Sequence, residues 1–216
     1  PPRDSIRRQR QMCIRDRFTV KQGDETMGEV SLSPPGMHNV YNALATICVG
    51  LELEIPFAVI ADALGSLAGV QRRMQHKGTA ADITVVDDYG HHPTEIRATL
   101  SAIKTAWPEN RLVVMFQPHR YSRTKGLFKE FQTCFHQADL LVMTDIYAAS
   151  EKPIDGVTSE LLIRSIEKHG QRYTAYVPDV KQLAEQVRPM LQPGDLVLSL
   201  GAGNIVNAGE ELLSLL

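Results

Sequence analysis

Two hydrophobic periods alternate along this chain. Short unbroken apolar runs occur at Ile83-Thr84-Val85-Val86, Leu112–Phe116, Leu140–Thr144 and Leu196–Leu200, with a shorter one near Tyr173–Val177. Runs of this length, rich in β-branched residues, predict buried strands. Between them lie segments with helical spacing: Pro93–Trp107, Tyr121–Gln137, about Thr158 to His169, Val180–Leu191, and a last helix after Gly201-Ala202-Gly203. Strands alternating with helices of this length predict an α/β fold with a Rossmann-like, doubly wound, mostly parallel sheet.

The pattern upstream is different. Phe18-Thr19-Val20 and Glu29–Leu32 flank a Gly23-Asp24 turn and predict a hairpin. Pro34-Pro35-Gly36 interrupts the chain. Val40, Leu44, Ile47, Val49 and Leu51 then predict a helix from Met37 to about Leu53, and Pro56 opens a second with Phe57, Val59, Ile60, Ala63, Leu64 and Leu67. A hairpin and two helices are too little for a complete α/β domain. We therefore expect three parts: 1–17, an upstream piece at 18–78, and a sheet domain at 79–216. Apolar residues in 37–67 should remain exposed, with association as a consequence.

Composition narrows the class. Of 216 residues, 43% are hydrophobic and 22% charged, as expected of a globular chain with a sizeable core. No apolar run is long enough to cross a bilayer and no signal peptide is recognisable, so no membrane association is expected. Cys13, Cys48 and Cys134 are odd in number and widely spaced, which suits a reducing, cytoplasmic setting. The formal charge of −2 hides an asymmetry: residues 1–17 carry six arginines against Asp4 and Asp16, a net +4, and the remainder carries −6. The basic segment lacks interleaved aromatics and a clean amphipathic period, so no nucleic-acid role is assigned to it.

The candidate chemistry sits where strands end and helices begin. Asp87-Asp88-Tyr89-Gly90-His91-His92-Pro93-Thr94-Glu95 and Phe116-Gln117-Pro118-His119-Arg120-Tyr121-Ser122-Arg123-Thr124 both occupy such junctions, where open α/β sheets bind ligands. Arg120 and Arg123, three apart at a helix start, oppose the helix dipole unless an anion is bound there, and a forked guanidinium suits a carboxylate. Arg72-Arg73 suits ribose hydroxyls or phosphate, or is simply solvated. Asn39 and Asn42 share a helix face and could bond the edges of a base, or serve as a cap and surface cluster. Asp88 could hold a ribose hydroxyl. With His119 and one of His91 or His92 it could also form a mononuclear metal site. Pro93 and Glu95 read as helix entry. Gly201-Ala202-Gly203 is only half a dinucleotide fingerprint and reads as a tight turn.

Taken together these residues resemble the Mur ligases. The likeness runs through Pro35–Ala45, Gly69–Arg73, Asp87–Glu95, Phe116–Thr124, Thr144–Ala149, Glu151–Ile154 and Gly201–Gly203, covering roughly 18–216 in consistent order. Gln117–Thr124 favours the members that add L-alanine to UDP-N-acetylmuramate. The resemblance implies ATP-driven amide ligation in bacterial peptidoglycan precursor synthesis, through an acyl phosphate, with ATP and Mg2+ as cofactors. It implies that Asn39 and Asn42 lie at the adenine, and Arg73 and Asp88 near the ribose and phosphates. Tyr89, His91, His119, Arg120 and Arg123 would embrace the alanine, its carboxylate on arginine.

The departures also count. No GxxxxGK[ST] phosphate loop occurs in the chain. That loop, the Mg2+ ligands and a UDP-sugar domain are expected upstream, in missing N-terminal and central domains. This chain would then hold the end of the ATP-binding domain and the C-terminal domain, inactive alone, with no catalytic residue or metal ligand assigned within it. Residues 1–17 match nothing in the family, Ser150 stands where glycine would be natural, and Asn204 where an acid is expected. The alternatives are a sister ligase adding a peptide to the same sugar nucleotide, a non-catalytic nucleotide- or amino-acid-binding module, and a metal hydrolase.

Overall fold

The computed structural model describes residues 16–32, 36–67 and 71–216, which fall into two compact units divided between Val70 and Gln71. Residues 1–15 lie outside the described residues; Asp16 and Arg17 begin the first strand, so the expected segment 1–17 is two residues too long.

In the first unit, β1 (Asp16–Gln22) and β2 (Glu25–Leu32) form the expected antiparallel hairpin around Gly23, whose φ of 63° suits glycine. Alternation turns Phe18, Val20, Val30 and Leu32 to one face. Helices α1 (Met37–Glu52) and α2 (Phe57–Ser66) supply Val40, Ala43, Ile47, Ile60 and Leu64 to the same small core. At Gly50 a Cβ would lie 2.6 Å from Ile60 Cδ1, so the helices approach closely there. The opposite faces stay uncovered, as expected: Tyr41, Val49, Leu53, Val59 and Leu67 are exposed.

The second unit holds a six-stranded sheet in the order β3-β4-β8-β5-β6-β7. Its strands are β3 (Gln75–Ala80), β4 (Ile83–Asp88), β5 (Leu112–Phe116), β6 (Leu140–Met143), β7 (Thr174–Tyr176) and β8 (Leu196–Leu200). All pair in parallel except β3, which is antiparallel to β4. Side chains of one parity (Val86, Val114, Phe116, Leu198, Leu200) pack against α3 (Pro93–Ala106), α5 (Phe128–Phe131) and α6 (Ser159–Lys168). The other parity (Val85, Val113, Met115, Val142, Val197) packs against α7 (Leu183–Val187) and α8 (Val206–Leu215). Burial on both faces is why these strands read as unbroken apolar runs.

Three expectations change. The division set after residue 78 cuts through β3, whose Gln-His-Lys-Gly-Thr-Ala sequence has no apolar alternation because it is a half-exposed edge strand. It returns into β4 through Ala81 and Asp82, both at positive φ, a hairpin turn with no glycine to announce it. The helix expected over 121–137 is instead α4 (Tyr121–Gly126), the short α5 and a series of turns. The helix expected over 180–191 shrinks to α7 between two 3-10 turns, the second containing Pro189, which lacks an N–H for helical bonding.

At the amino ends of the strands, Asp139 accepts hydrogen bonds from Leu112 N–H at 2.7 Å and Lys104 Nζ at 2.6 Å. Burial opposes its charge, but these two partners outweigh it and its pKa lies below the ordinary 3.8. A depressed carboxylate pKa stabilises the fold above the unfolded value and loses that contribution as pH falls through the native one. Asp139→Asn should therefore lower stability at neutral pH. The gap to the parent chain should narrow under acid, as read by urea denaturation from roughly pH 7 down to about pH 2.5, through the carboxylate range.

Candidate functional site

The loops leaving β4 and β5 run to α3 and α4, while the loop leaving β8 between them runs to α8 on the opposite face. Neighbouring loops that part in this way open a crevice at the carboxyl edge of the sheet.

The β4 side is organised by two aspartates. Asp87 is fully buried and accepts from Arg72 Nε at 3.1 Å and Ser199 Oγ at 2.7 Å. Arg72 also donates to Gly201 O at 2.6 Å, tying the start of this unit to the β8 turn. Asp88, 2% exposed, accepts from Met74 N–H at 2.9 Å, Gly90 N–H at 2.8 Å and Thr99 Oγ1 at 3.2 Å. Burial pushes its pKa up, against the pull of those bonds and of Arg73. A Cβ on Gly90 would meet Asp88 Oδ1 at 2.8 Å, so this turn has room only for glycine.

Beyond it, α3 starts as expected, with Pro93 in its first turn. His92 is the N-cap, its Nδ1 accepting from Thr94 N–H at 3.2 Å, and Glu95 completes a capping box by accepting from His91 N–H and His92 N–H at 3.0 and 3.1 Å. Burial opposes the Glu95 charge, but the two N–H groups, with His91 and Arg73, lower its pKa overall. The His91 ring is held by Nδ1, 3.1 Å from Tyr89 O and 3.6 Å from Glu95 Oε2. Arg72 and Arg73 lie over the Tyr89 ring at 5.0 and 5.8 Å.

On the β5 side, the loop after β6 forms a platform. Tyr147 N–H donates to Pro118 O and Arg120 N–H to Tyr147 O, both at 2.8 Å, and the Tyr147 ring stacks on His119 with centroids 5.5 Å apart. Arg120 is thereby held at φ 71°, an unfavourable backbone for a non-glycine residue and one common at functional sites. Arg123 Nη1 donates to His119 Nδ1 at 2.9 Å. Among the described residues, the exposed Arg120 guanidinium makes no hydrogen bond or ion pair. The first-turn N–H of α4 is already taken: Glu151 accepts from Ser122 N–H at 2.9 Å and Ser122 Oγ at 2.6 Å. The anion expected at this helix start is thus partly supplied by the chain itself.

Tyr89, His91, His119 and Tyr147 form a continuous line of rings, with centroids 5.4 Å apart for Tyr89–His91 and 5.8 Å for His91–His119. The five residues expected to embrace an amino acid therefore share one edge of the second unit, with Arg73 beside them. Asn39 and Asn42 lie on α1 in the first unit, Asn42 exposed. The metal site drawn from Asp88 and the histidines does not form. Asp88 is engaged by the chain, His92 caps α3, and no group of three His, Cys, Asp or Glu among the described residues is arranged to hold a metal. A cavity of about 420 Å³ opens beside the crevice, but its Asp145 and Asp179 suit a cation better than a carboxylate.

Tyr147, Glu151 and Gln117 were not singled out by spacing. Gln117 accepts from Ile205 N–H at 3.2 Å and donates to Asn204 Oδ1 at 2.9 Å, which gives Asn204 a role an acid could also fill. A Cβ on Gly203 would press on the Tyr147 ring at 2.9 Å, so the half-fingerprint serves close packing. Ser150 lies at φ 70°, which is why glycine would be natural there.

A sheet with this crevice, its arginines and its capped histidine loop has the build of an α/β domain whose strand ends offer cationic and hydrogen-bonding groups. Residues 72–203 match the family model described as Mur ligase, glutamate ligase domain, and the chain belongs to the Mur ligase family. It is 64% identical over 202 residues to the UDP-N-acetylmuramate–L-alanine ligase of Desulfotalea psychrophila, covering 94% of this chain and 44% of that protein. The ligase of the same name from Geobacter sulfurreducens is 60% identical, over 87% of this chain and 41% of its own length. Among solved structures, the UDP-N-acetylmuramate-alanine ligase of Thermotoga maritima superposes with a TM-score of 0.78 at 28% identity, over 93% of this chain and 42% of that one. The chain thus spans less than half the length of each of these three proteins. No helix among the described residues is long and apolar enough to cross a membrane.

Burial lowers the His119 pKa below 6.5, with Arg123, His91 and Arg120 adding to it against Glu151. Arg123→Gln removes one of these charges, so the His119 titration midpoint followed by NMR should rise toward the ordinary histidine value.

Proposed function

We propose that this chain is the C-terminal part of an ATP-dependent, cytoplasmic bacterial ligase that joins L-alanine to UDP-N-acetylmuramate. In this reading residues 71–216 are the amino-acid-binding domain and the first unit is the end of the ATP-binding domain. The observation that carries it is the exposed Arg120 guanidinium, with no hydrogen bond or ion pair among the described residues, on the residue that follows His119, whose ring adjoins Arg123 and the His91–Tyr89 pair. A guanidinium there matches a free amino-acid carboxylate.

The substrate carboxylate is activated as an acyl phosphate, and the alanine amine displaces phosphate from it. The work is mainly positioning and charge neutralisation. Asn39 and Asn42 would serve the adenine. Arg73, 46% exposed at its side chain, can still turn to ribose or phosphate. Asp88 fits a direct ribose contact less well, since both its oxygens hold the chain; its part is to fix the Tyr89–His91 loop. The described residues offer no Mg2+ cage, and Mg2+ with the phosphate loop belongs to the upstream domains this reading requires. A sister ligase adding a peptide would need a different clamp at 117–124, and a stand-alone binding module would need no upstream partner.

L-alanine-dependent phosphate release from ATP with UDP-N-acetylmuramate tests this. The chain alone should be silent, and the chain mixed with the upstream half of the Desulfotalea relative should be active. Activity from the chain alone would overturn the reading. In the active mixture Arg120→Ala should raise the KM for L-alanine by about 10- to 100-fold, the loss expected for a hydrogen bond to a charged group.

A further inference from the structure

His91 and His119 are close, with ring centroids 5.8 Å apart, yet their neighbours force opposite proton placements. His91 Nδ1 has only acceptors near it: Tyr89 O at 3.1 Å and Glu95 Oε2 at 3.6 Å. A carbonyl and a carboxylate cannot donate, so Nδ1 carries the proton and Nε2 keeps its lone pair. His119 Nδ1 faces Arg123 Nη1 at 2.9 Å. A guanidinium cannot accept, so Nδ1 carries the lone pair and Nε2 the proton. One crevice therefore contains an imidazole acceptor and an imidazole donor.

Resting on the ligase reading above, we infer that His91 Nε2 is the proton acceptor for the incoming amino group and His119 Nε2–H the donor to the oxygen of the reacting acyl group. A proton passes from the alanine ammonium to His91 Nε2, and the freed nitrogen lone pair forms the C–N bond. The carbonyl π pair moves onto oxygen, where the His119 N–H hydrogen-bonds to it. That pair then returns and the bond from carbon to the phosphate oxygen breaks. Phosphate leaves with the bonding electrons and takes the second nitrogen proton as hydrogen phosphate. His91 gives its proton to solvent, and the charges balance. The groups around this pair fit the task. Glu95 on α3, itself 3.7 Å from Arg73, sits behind His91 and offsets the arriving charge, as a carboxylate does for a general-base histidine. Burial, Arg123, His91 and Arg120 disfavour a second proton on His119, against the weaker pull of Glu151.

The proton placements can be read on this chain directly, from long-range 15N–1H spectra of the imidazoles at about pH 7.5, roughly one unit above the ordinary histidine value. Nδ1–H at His91 with Nε2–H at His119 is expected. The reverse at either ring overturns the inference, whatever the chain's activity. The chemistry is read in the Desulfotalea ligase carrying residues 71–216 of this chain in place of its own. There His91→Gln should lower kcat with L-alanine by about 100-fold or more, the scale of general-base catalysis, and abolish the rise of kcat with pH. It should still yield hydroxamate when hydroxylamine, unprotonated at neutral pH, replaces alanine. Equal loss with both acceptors, or an unchanged pH profile, would overturn the role of His91. Failure of the unmutated chimera to use alanine would overturn the ligase reading instead, and leave the spectra to decide the proton placements.

Discussion

The β4 side of this sheet edge is organised around a carboxylate almost entirely withdrawn from water. Asp88, at the last position of β4, draws in the N–H of Met74 ahead of β3, the N–H of Gly90 in the following turn and the hydroxyl of Thr99 on α3. Three separate segments are thereby gathered on one side chain. Burying the charge is costly, which is why its pKa is raised, and the three donors offset that cost only while all remain in place. The geometry is correspondingly sharp. Gly90 has no room for a side chain, and the chain leaves it in the direction that puts His91 against Glu95.

A second constraint acts from β8. Because β8 lies between β4 and β5 but sends its connection to the opposite face, the loops on either side of it have to part. The turn at 201–205 then fills the floor without blocking it. Gly201 carries φ 146° and would bring a Cβ to 2.8 Å from Gln117 O, while Gly203 lets the Tyr147 ring settle against the backbone. Arg72 closes the arrangement from the segment ahead of β3 by bonding both Asp87 and Gly201 O. Residue identity at single positions thus sets the spacing of two loops that are far apart in the chain, and the ring line from Tyr89 to Tyr147 bridges them.

The parts of this fold legible in the sequence are those where one physical rule acts alone. Strands buried on both faces produce apolar runs, so β4, β5, β6 and β8 could be placed, and Pro93 with Glu95 marks the start of α3. β3 was invisible because an edge strand need not be apolar, and its turn uses Ala81 and Asp82 rather than glycine. In the site, residue types pointed to Tyr89, His91, His119, Arg120 and Arg123, and these do lie on one edge. Spacing had no means of finding Tyr147 or Glu151, whose contacts with His119 and Ser122 depend on the parallel bridge between two loops. Nor could composition show that Asp88 faces inward, since a buried aspartate and a ligand-binding one look alike until their donors are known.

The placement of charge completes the argument. Four arginines crowd this edge, and three have partners: Arg72 in Asp87, Arg73 in Glu95, Arg123 in His119. Glu151, the carboxylate on the β5 side, is engaged with Ser122, so its influence on Arg120 is through the field rather than through a bond. A solvated arginine with such a neighbour would normally relax toward it. Arg120 is instead fixed by its own main chain, through Tyr147 O, Thr124 N–H and Thr124 Oγ1, in a backbone conformation that costs on the order of 1 kcal/mol or more. Such strain persists where the surroundings over-determine it, and here they hold the Arg120 backbone next to the ring line, with its exposed guanidinium free of hydrogen bonds and ion pairs among the described residues. That combination favours a carboxylate arriving from solvent over any partner within the chain.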